Sequence, residues 1–142
     1  MKKCKFIIAI IVALILGLSC ERKERLIVEH PLVGMWEFHT VTVIREYDDY
    51  VVNEAVYPYE PGNDFIEFLN DETGFGYSAD TINYKFTWRI HAEDELVLVM
   101  TGISSYSVLF KPYVVKGDTL NLTRSSSDGV WTLSRIYVCV KV

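Results

Sequence analysis

The stretch GMWEFHTVTVIREY, residues 34–47, decides the fold class because larger apolar and polar side chains alternate along it. Successive side chains of a β-strand point to opposite faces, so a period of two predicts a strand with one buried face. The residues that share the face of Trp36 are Phe38, Thr40, Thr42 and Ile44. We therefore predict that the folded domain opens with a half-buried strand that starts near Trp36.

The same alternation recurs to the end of the chain. The strand-like runs are residues 34–47, 65–69, 75–79, 83–91, 95–102, 104–115, 119–123 and 130–142. No helix-length segment separates these eight runs, which excludes parallel βαβ connections. We predict an all-β fold, an eight-stranded antiparallel up-and-down β-barrel, because closure removes exposed strand edges. An open two-sheet sandwich is the alternative.

One long loop is predicted within this series. Residues 48–64, DDYVVNEAVYPYEPGND, contain two prolines and five acidic residues. We predict that this segment is a lid at the open end of the barrel. Its three tyrosines, Tyr50, Tyr57 and Tyr59, also suit recognition of a protein or a glycan.

The N-terminus, MKKCKFIIAIIVALILGLSC, has the proportions of a secretory signal segment. LGLSC resembles the lipobox of bacterial lipoproteins, which implies cleavage before Cys20 and acylation of that residue. We expect a signal peptide at 1–19, the lipidated Cys20 and a charged tether at 20–31, and the barrel domain at 32–142. The alternative is an ordinary signal peptide or an uncleaved anchor. The lipoprotein prediction places the chain in the cell envelope, anchored to a lipid bilayer.

Charge and cysteine content narrow the possible functions. The net charge is −5, and it becomes −8 once the three leader lysines are removed. An acidic domain of this kind is not expected to bind nucleic acid. With Cys4 in the leader and Cys20 acylated, Cys139 is the one remaining cysteine, so no disulfide is expected within the mature chain. Its apolar surroundings in RIYVCVKV predict a buried, unreactive thiol.

The residues Gly34 and Trp36, with the strands that follow, resemble the G-x-W motif of the lipocalin and calycin superfamily. In that family the Trp closes one end of the barrel and an Arg from the last strand packs across it. The resemblance assigns this part to Arg135, with Arg124 as an alternative. The lipobox, the charged tether and the closing Arg together resemble small lipocalin-like lipoproteins of Gram-negative bacteria. The resemblance implies an outer-membrane location and a small apolar ligand.

Catalytic and metal signatures are missing from the sequence. The three histidines have no ligand-spaced partners, and no nucleophile–base arrangement is recognisable. We therefore expect no enzyme activity, no metal and no cofactor. The protein partner, if there is one, is not identified by the sequence.

A binding site inside the barrel is the remaining possibility. Eight-stranded barrels are either filled by side chains or hold one small ligand. We predict that the inward-facing ligand residues are Phe38, Thr40, Tyr77, Tyr84, Phe86, Trp88 and Tyr106. The alternative is a filled barrel whose loops bind an envelope protein or a glycan.

Overall fold

The structure is a computed structural model that describes residues 29–102 and 104–142. These residues form strands and turns and contain no helix, which confirms the predicted all-β class. The strands are β1 (Gly34–Tyr47), β2 (Tyr50–Pro58), β3 (Asp64–Phe68), β4 (Thr73–Ser78), β5 (Thr81–Ala92), β6 (Glu95–Thr101), β7 (Tyr106–Phe110), β8 (Tyr113–Lys116), β9 (Thr119–Ser127) and β10 (Trp131–Lys141).

All ten strands belong to one antiparallel sheet. Its order is β7-β6-β5-β4-β3-β1-β10-β9-β8, and β2 pairs with β1 beside this path. The two outermost strands, β7 and β8, do not pair with each other, so the sheet is not closed into a barrel. The chain after β7 does approach β9, because Thr123 accepts a bond from Lys111 N–H at 2.7 Å and donates one to Pro112 at 3.0 Å.

The strand count differs from the predicted eight for two reasons. The presumed loop at 48–64 contains β2, which pairs with β1 from Tyr47↔Tyr50 to Thr40↔Pro58. The predicted run at 104–115 is divided into β7 and β8 on either side of the cis Lys111–Pro112 peptide. The loop prediction was therefore wrong for most of its length, and the proposed lid is a paired strand.

A β-bulge in β1 corrects the predicted faces of that strand. Phe38 lies opposite Cys139 and Thr40 lies opposite Val138, so His39 is an extra residue without its own partner. An extra residue reverses the alternation that follows it. Beyond the bulge, Val41, Val43, Arg45 and Tyr47 continue the face of Trp36 and Phe38, because they lie opposite Tyr137, Arg135, Leu133 and Trp131. Thr40, Thr42 and Ile44 lie on the opposite face, contrary to the prediction.

β2 and β3 lie one after the other along the same side of β1. β3 pairs with residues 34–37, and β2 pairs with residues 40–47. The β4–β5 hairpin ends at Ser78 and Thr81, level with Asp64, so β2 has no strand on its other side. We call residues 41–57 and 124–137 the extension, and the face that carries Arg135 and Tyr137 its inner face.

The core occupies the end of the sheet away from the extension. Its fully buried side chains include Leu32, Trp36, Phe68, Leu96, Leu120 and Cys139. The Trp36 indole N–H donates to Leu32 O at 2.8 Å, which satisfies the only polar atom of that side chain. We call this end of the sheet, where Trp36 and Leu32 are both fully buried, the closed end.

Lys141 packs over Trp36, and the prediction that Arg135 does so was wrong. The Lys141 ammonium lies 5.4 Å from the centre of a Trp36 ring, and the two residues are directly opposite in the β1–β10 ladder. Arg135 is six residues from Lys141, about 20 Å along the strand, and lies opposite Val43. Gly34 has a φ of +133°, and a Cβ there would stand 2.8 Å from Lys141 Cε. The glycine leaves the space through which the lysine stem crosses the indole.

Candidate functional site

A cavity of about 310 Å³ lies between the core and the extension. Its walls are mostly aromatic and aliphatic. The cavity reaches solvent beside Tyr106, which is 59% exposed. The aromatic residues that line it are Phe38, Tyr59, Tyr77, Tyr84, Tyr106, Phe110 and Tyr137. A cavity of this size is at the lower end of the range, roughly 300–1,000 Å³, in which proteins bind small molecules.

The structure brings three of the predicted ligand residues, Phe38, Tyr84 and Tyr106, to this cavity. Tyr77 also borders it, but the Tyr77 hydroxyl donates to Glu67 Oε2 at 2.7 Å. Glu67 is not part of the cavity wall, so this hydroxyl is engaged away from the cavity. Thr40 does not line the cavity, because the bulge at His39 turns it to the opposite face.

Phe86 and Trp88 belong to the core and not to the cavity. They are 2% and 7% exposed, and both pack against Phe68 with ring centres 5.4 and 5.8 Å away. The Trp88 indole N–H is shared between the carbonyls of Leu69 and Thr73 at 3.2 and 3.1 Å. Neither side chain lines the cavity.

Two glycines of β4 place the neighbouring aromatic rings of β5. Gly74 lies opposite Phe86 and Gly76 lies opposite Tyr84. A Cβ on either glycine would collide with the facing ring, so both rings lie directly over bare backbone. Because Gly76 has no Cβ, the Tyr84 ring can lie over the backbone of β4, where it forms part of the cavity wall.

The hydroxyls of Tyr59 and Tyr84 at the cavity are un-ionised at neutral pH. Burial, followed by the charges of neighbouring groups, raises the pKa of Tyr84 to about 12. Burial also raises the pKa of Tyr59, with Tyr137 and Asp64 adding to the effect. Both phenols remain protonated, and each can donate one hydrogen bond to a ligand and accept others.

Three polar side chains complete the cavity wall: Asp64, Asn83 and Arg124. Sequence reasoning missed Asp64 and Asn83, considered Arg124 only as a cover for Trp36, and placed Tyr59 in a lid. Alternation along β10 does signal Tyr137, because it shares the face of Cys139 and Arg135. Tyr59 could not be placed this way, since its position depends on the unexpected pairing of β2.

A shallow groove of about 520 Å³ lies farther along the extension. Arg45, Leu133 and Trp131 line it, together with Ser126, Ser127, Asp128 and Thr132. Trp131 stacks on Tyr47 with ring centres 4.8 Å apart. Because Leu133 and Tyr137 share the inner face, the groove and the cavity lie on the same side of the sheet.

The described residues include no grouped metal ligands and a single cysteine. Residues 29–102 and 104–142 contain no group of three His, Cys, Asp or Glu side chains arranged to hold a metal ion. Cys139 is fully buried as predicted, and burial raises the pKa of its thiol to about 12. A thiol of this kind is not ionised at neutral pH and is a poor nucleophile.

The lipidation prediction lies outside the described residues, because Cys20 precedes residue 29. In the part of the chain that the structure describes, no helix has the length and apolar character needed to cross a membrane. The chain is first described at Glu29, whose carboxylate accepts a bond from Asn70 at 3.1 Å. Leu32, three residues later, contacts Trp36, so the described chain starts beside the closed end.

Comparison with known proteins does not identify a family. No protein-family model matches the chain, and no curated protein or solved structure matches it. The cavity and the residues around it are therefore the observations that bear on function.

Proposed function

We propose that the chain is a membrane-anchored, lipocalin-like lipoprotein that binds or carries a small apolar ligand. The observation that carries this proposal is the cavity of about 310 Å³ between the core and the extension. A sheet that only had to be stable would fill this space with side chains, as protein interiors normally do. The lipocalin-like part of the proposal draws on Gly34 and Trp36, which occupy a closed end and are covered by a cation from the last strand.

The cavity wall suits an apolar or aromatic ligand with few polar atoms. Phe38, Phe110 and Tyr137 are in ring contact, with centre distances of 5.9 and 6.3 Å to Tyr137. Rings at such angles and distances present edges and faces against which another flat or aliphatic group can pack. The protonated hydroxyls of Tyr59 and Tyr84 supply a small number of hydrogen bonds that orient the ligand.

Filling the cavity with protein atoms tests the proposal directly. Val108 is 5% exposed and lines the cavity, whereas the next residue of β7, Leu109, is 47% exposed and does not. Val108→Trp should abolish binding of a fluorescent fatty-acid analogue and the retention of a ligand in native mass spectrometry. Leu109→Trp, the matched control, should leave both unchanged. Parent protein that gives a clean unliganded mass and binds no analogue would contradict the proposal.

The alternative function is a non-catalytic interaction module that binds an envelope protein or a glycan. The observation that favours it is the free edge of β2, on which Tyr50, Val51, Val52, Val56 and Tyr57 are all more than half exposed. Exposed apolar edge strands can pair with an extended segment of another protein. This module would use β2 itself and not a flexible loop.

Charged substitutions on β2 separate the two functions. Deleting residues 50–60 is unsuitable, because it removes the β1–β2 ladder and the cavity residue Tyr59. Val51→Lys combined with Val56→Lys keeps the strand and makes its edge unattractive to another chain. Loss of a cross-linked envelope protein with unchanged binding of the fatty-acid analogue would support the interaction module. Unchanged cross-linking would argue against it.

A further inference from the structure

Three arginines lie together on the inner face of the extension. Arg135 of β10 lies directly opposite Arg124 of β9, and Arg45 of β1 lies opposite Leu133, two residues from Arg135. Directly opposed side chains have Cβ atoms about 5 Å apart, and diagonal neighbours are about 7–8 Å apart. We call Arg45, Arg124 and Arg135 the arginine row.

The arginine row extends from the cavity to the groove along the inner face. Arg124 lines the cavity beside Tyr137, and Arg45 lines the groove beside Leu133. Arg135 stands between them, because it separates Leu133 from Tyr137 along β10. A ligand that fills the cavity therefore has Arg124 in its wall, and Arg135 lies directly opposite Arg124 on the neighbouring strand.

No carboxylate neutralises the row within the residues described. None of the three arginines forms an ion pair there. The acidic residues in the strands of the extension, Glu46 and Glu54, lie on its outer face, since Glu46 follows Arg45 and Glu54 pairs with Ile44. Two other carboxylates flank the inner face, Asp64 in the cavity wall and Asp128 at the groove, where Asp128 Oδ1 accepts bonds from Val130 and Trp131.

The arginines of the row repel one another, and no ion pair among the described residues compensates for this repulsion. Like charges directly opposite in neighbouring strands destabilise a sheet. The repulsion arises in a chain whose net charge is −5, where acidic partners are abundant, yet none of the described carboxylates forms an ion pair with the row. An anion that binds between the guanidinium groups removes the repulsion and supplies the missing partner.

We propose that the arginine row binds the anionic head of an amphiphilic ligand whose apolar body occupies the cavity. This inference rests on the proposed ligand-binding function and names the class of ligand. Carboxylate and phosphate groups both accept paired bonds from a planar guanidinium, so the shared chemistry is an oxyanion on an apolar body. The head lies at Arg124 and Arg135, and Arg45 adds to the positive potential from the groove side.

Two fluorescent probes with the same apolar body test the inference. They are 8-anilinonaphthalene-1-sulfonate, which is an anion, and N-phenyl-1-naphthylamine, which is neutral. Replacing both Arg124 and Arg135 by Gln should weaken binding of the sulfonate at least about tenfold, as expected for loss of charge-assisted hydrogen bonds. The neutral probe should bind the variant within about twofold of the parent, because the cavity itself is unchanged. Arg89→Gln, which removes an exposed arginine outside the inner face, is the matched control and should change neither affinity.

The outcomes separate this inference from the function on which it rests. If the neutral probe binds and the double variant weakens only the sulfonate, the inference is supported. If both probes bind the parent and the double variant affects them equally, the inference is overturned while the ligand-binding function stands. If neither probe binds the parent, both fail. Unliganded double variant should also melt at a higher temperature than the parent, and a lower melting temperature would show that the row is structural.

Displacement of the bound sulfonate probe identifies the natural head group. Dodecanoate, dodecyl phosphate and dodecanol share an alkyl chain and differ in the head. Stronger displacement by dodecanoate indicates a carboxylic acid, and stronger displacement by dodecyl phosphate indicates a phosphate ester. Dodecanol that displaces the probe as well as either anion would count against the inference.

Discussion

At the scale of single residues, Gly74 shows how a missing side chain positions an aromatic one. Glycine in the interior of a strand normally weakens it, and replacement by alanine normally gains about 0.5–1 kcal/mol. Here a Cβ would meet both the Phe86 ring and the backbone oxygen of Glu67, and the backbone oxygen cannot move aside easily. We therefore predict that Gly74→Ala lowers the free energy of unfolding by about 1–3 kcal/mol, measured by urea denaturation.

The control for this prediction is Gly102→Ala, since a Cβ at Gly102 meets no atom within 4 Å. That variant should unfold within about 0.5 kcal/mol of the parent, as surface substitutions usually do. A Gly74→Ala protein as stable as the control would show that the Phe86 ring shifts without cost. It would then also follow that the missing Cβ of Gly76 does not determine where the Tyr84 ring lies.

The hydroxyl of Tyr84 links the cavity to the pH dependence of stability. Burial and neighbouring charges raise its pKa from 10.0 to about 12 in the folded chain. The unfolded chain therefore loses this proton first, so the contribution to stability is complete below pH 10 and is lost as the pH rises towards 12. We predict that Tyr84→Phe reduces the fall in unfolding free energy between pH 10 and 12, measured by urea denaturation at several pH values. Tyr50→Phe, at a residue 75% exposed, should leave the fall as it is in the parent.

At the scale of elements, the bulge in β1 decides which side chains reach the inner face. Deleting His39 would remove the extra residue and restore a simple alternation in the same register, so that Thr40 and Thr42 stay outward and Val41 and Val43 stay inward. We predict that this deletion lowers the free energy of unfolding by about 0.5–1.5 kcal/mol, measured by urea denaturation, because it removes the bond from Tyr59 N–H to His39 O at 2.9 Å while no side chain changes face. His39→Ala removes an exposed side chain but keeps the bulge, and should cost no more than about 0.5 kcal/mol. A deletion that costs much more than the predicted range would show that β1 changes register without the bulge, and equal stabilities of the two variants would show that the bond to His39 O contributes little.

The bulge also explains how far the sequence predicts this structure. β10 keeps an uninterrupted alternation, so the shared face of Arg135, Tyr137 and Cys139 was predictable from the sequence. The faces of β1 beyond His39 were not, because a bulge is defined by the pairing between two strands and leaves no signal in one of them. β2 was missed for a related reason: its acids and prolines are typical of loops, and only the ladder with β1 identifies it as a strand. Phe38, Tyr84 and Tyr106 could be assigned to the cavity because no unpredicted bulge changed the face on which each of them was expected to lie.

At the scale of the whole molecule, β1 defines an axis along which the closed end, the cavity and the arginine row follow one another. Tyr47 follows Trp36 by eleven residues along β1, so the closed end at Trp36 and the tip of the extension at Tyr47 are about 36 Å apart. The cavity and the arginine row lie between them, on the inner face of an otherwise acidic chain. Because the chain's net negative charge repels an anionic ligand at long range, attraction by the row is confined to its vicinity. Binding of such a ligand should therefore depend strongly on the local geometry of the row and on salt.

The same axis separates the proposed anchor from the proposed binding site. The described chain begins beside the closed end, so the segment that would carry a lipid on Cys20 joins the fold at that end and not at the cavity. Each methylene buried in the membrane contributes about 0.8 kcal/mol, and two or more acyl chains anchor a protein stably. We predict that Cys20→Ser moves the protein from the membrane fraction to the soluble fraction, while the purified protein binds the fatty-acid analogue with unchanged affinity. Retention of the variant on membranes would contradict acylation of Cys20. A released variant that no longer binds the analogue would contradict the separation of anchor and cavity, because it would show that the ligand is held partly by the membrane.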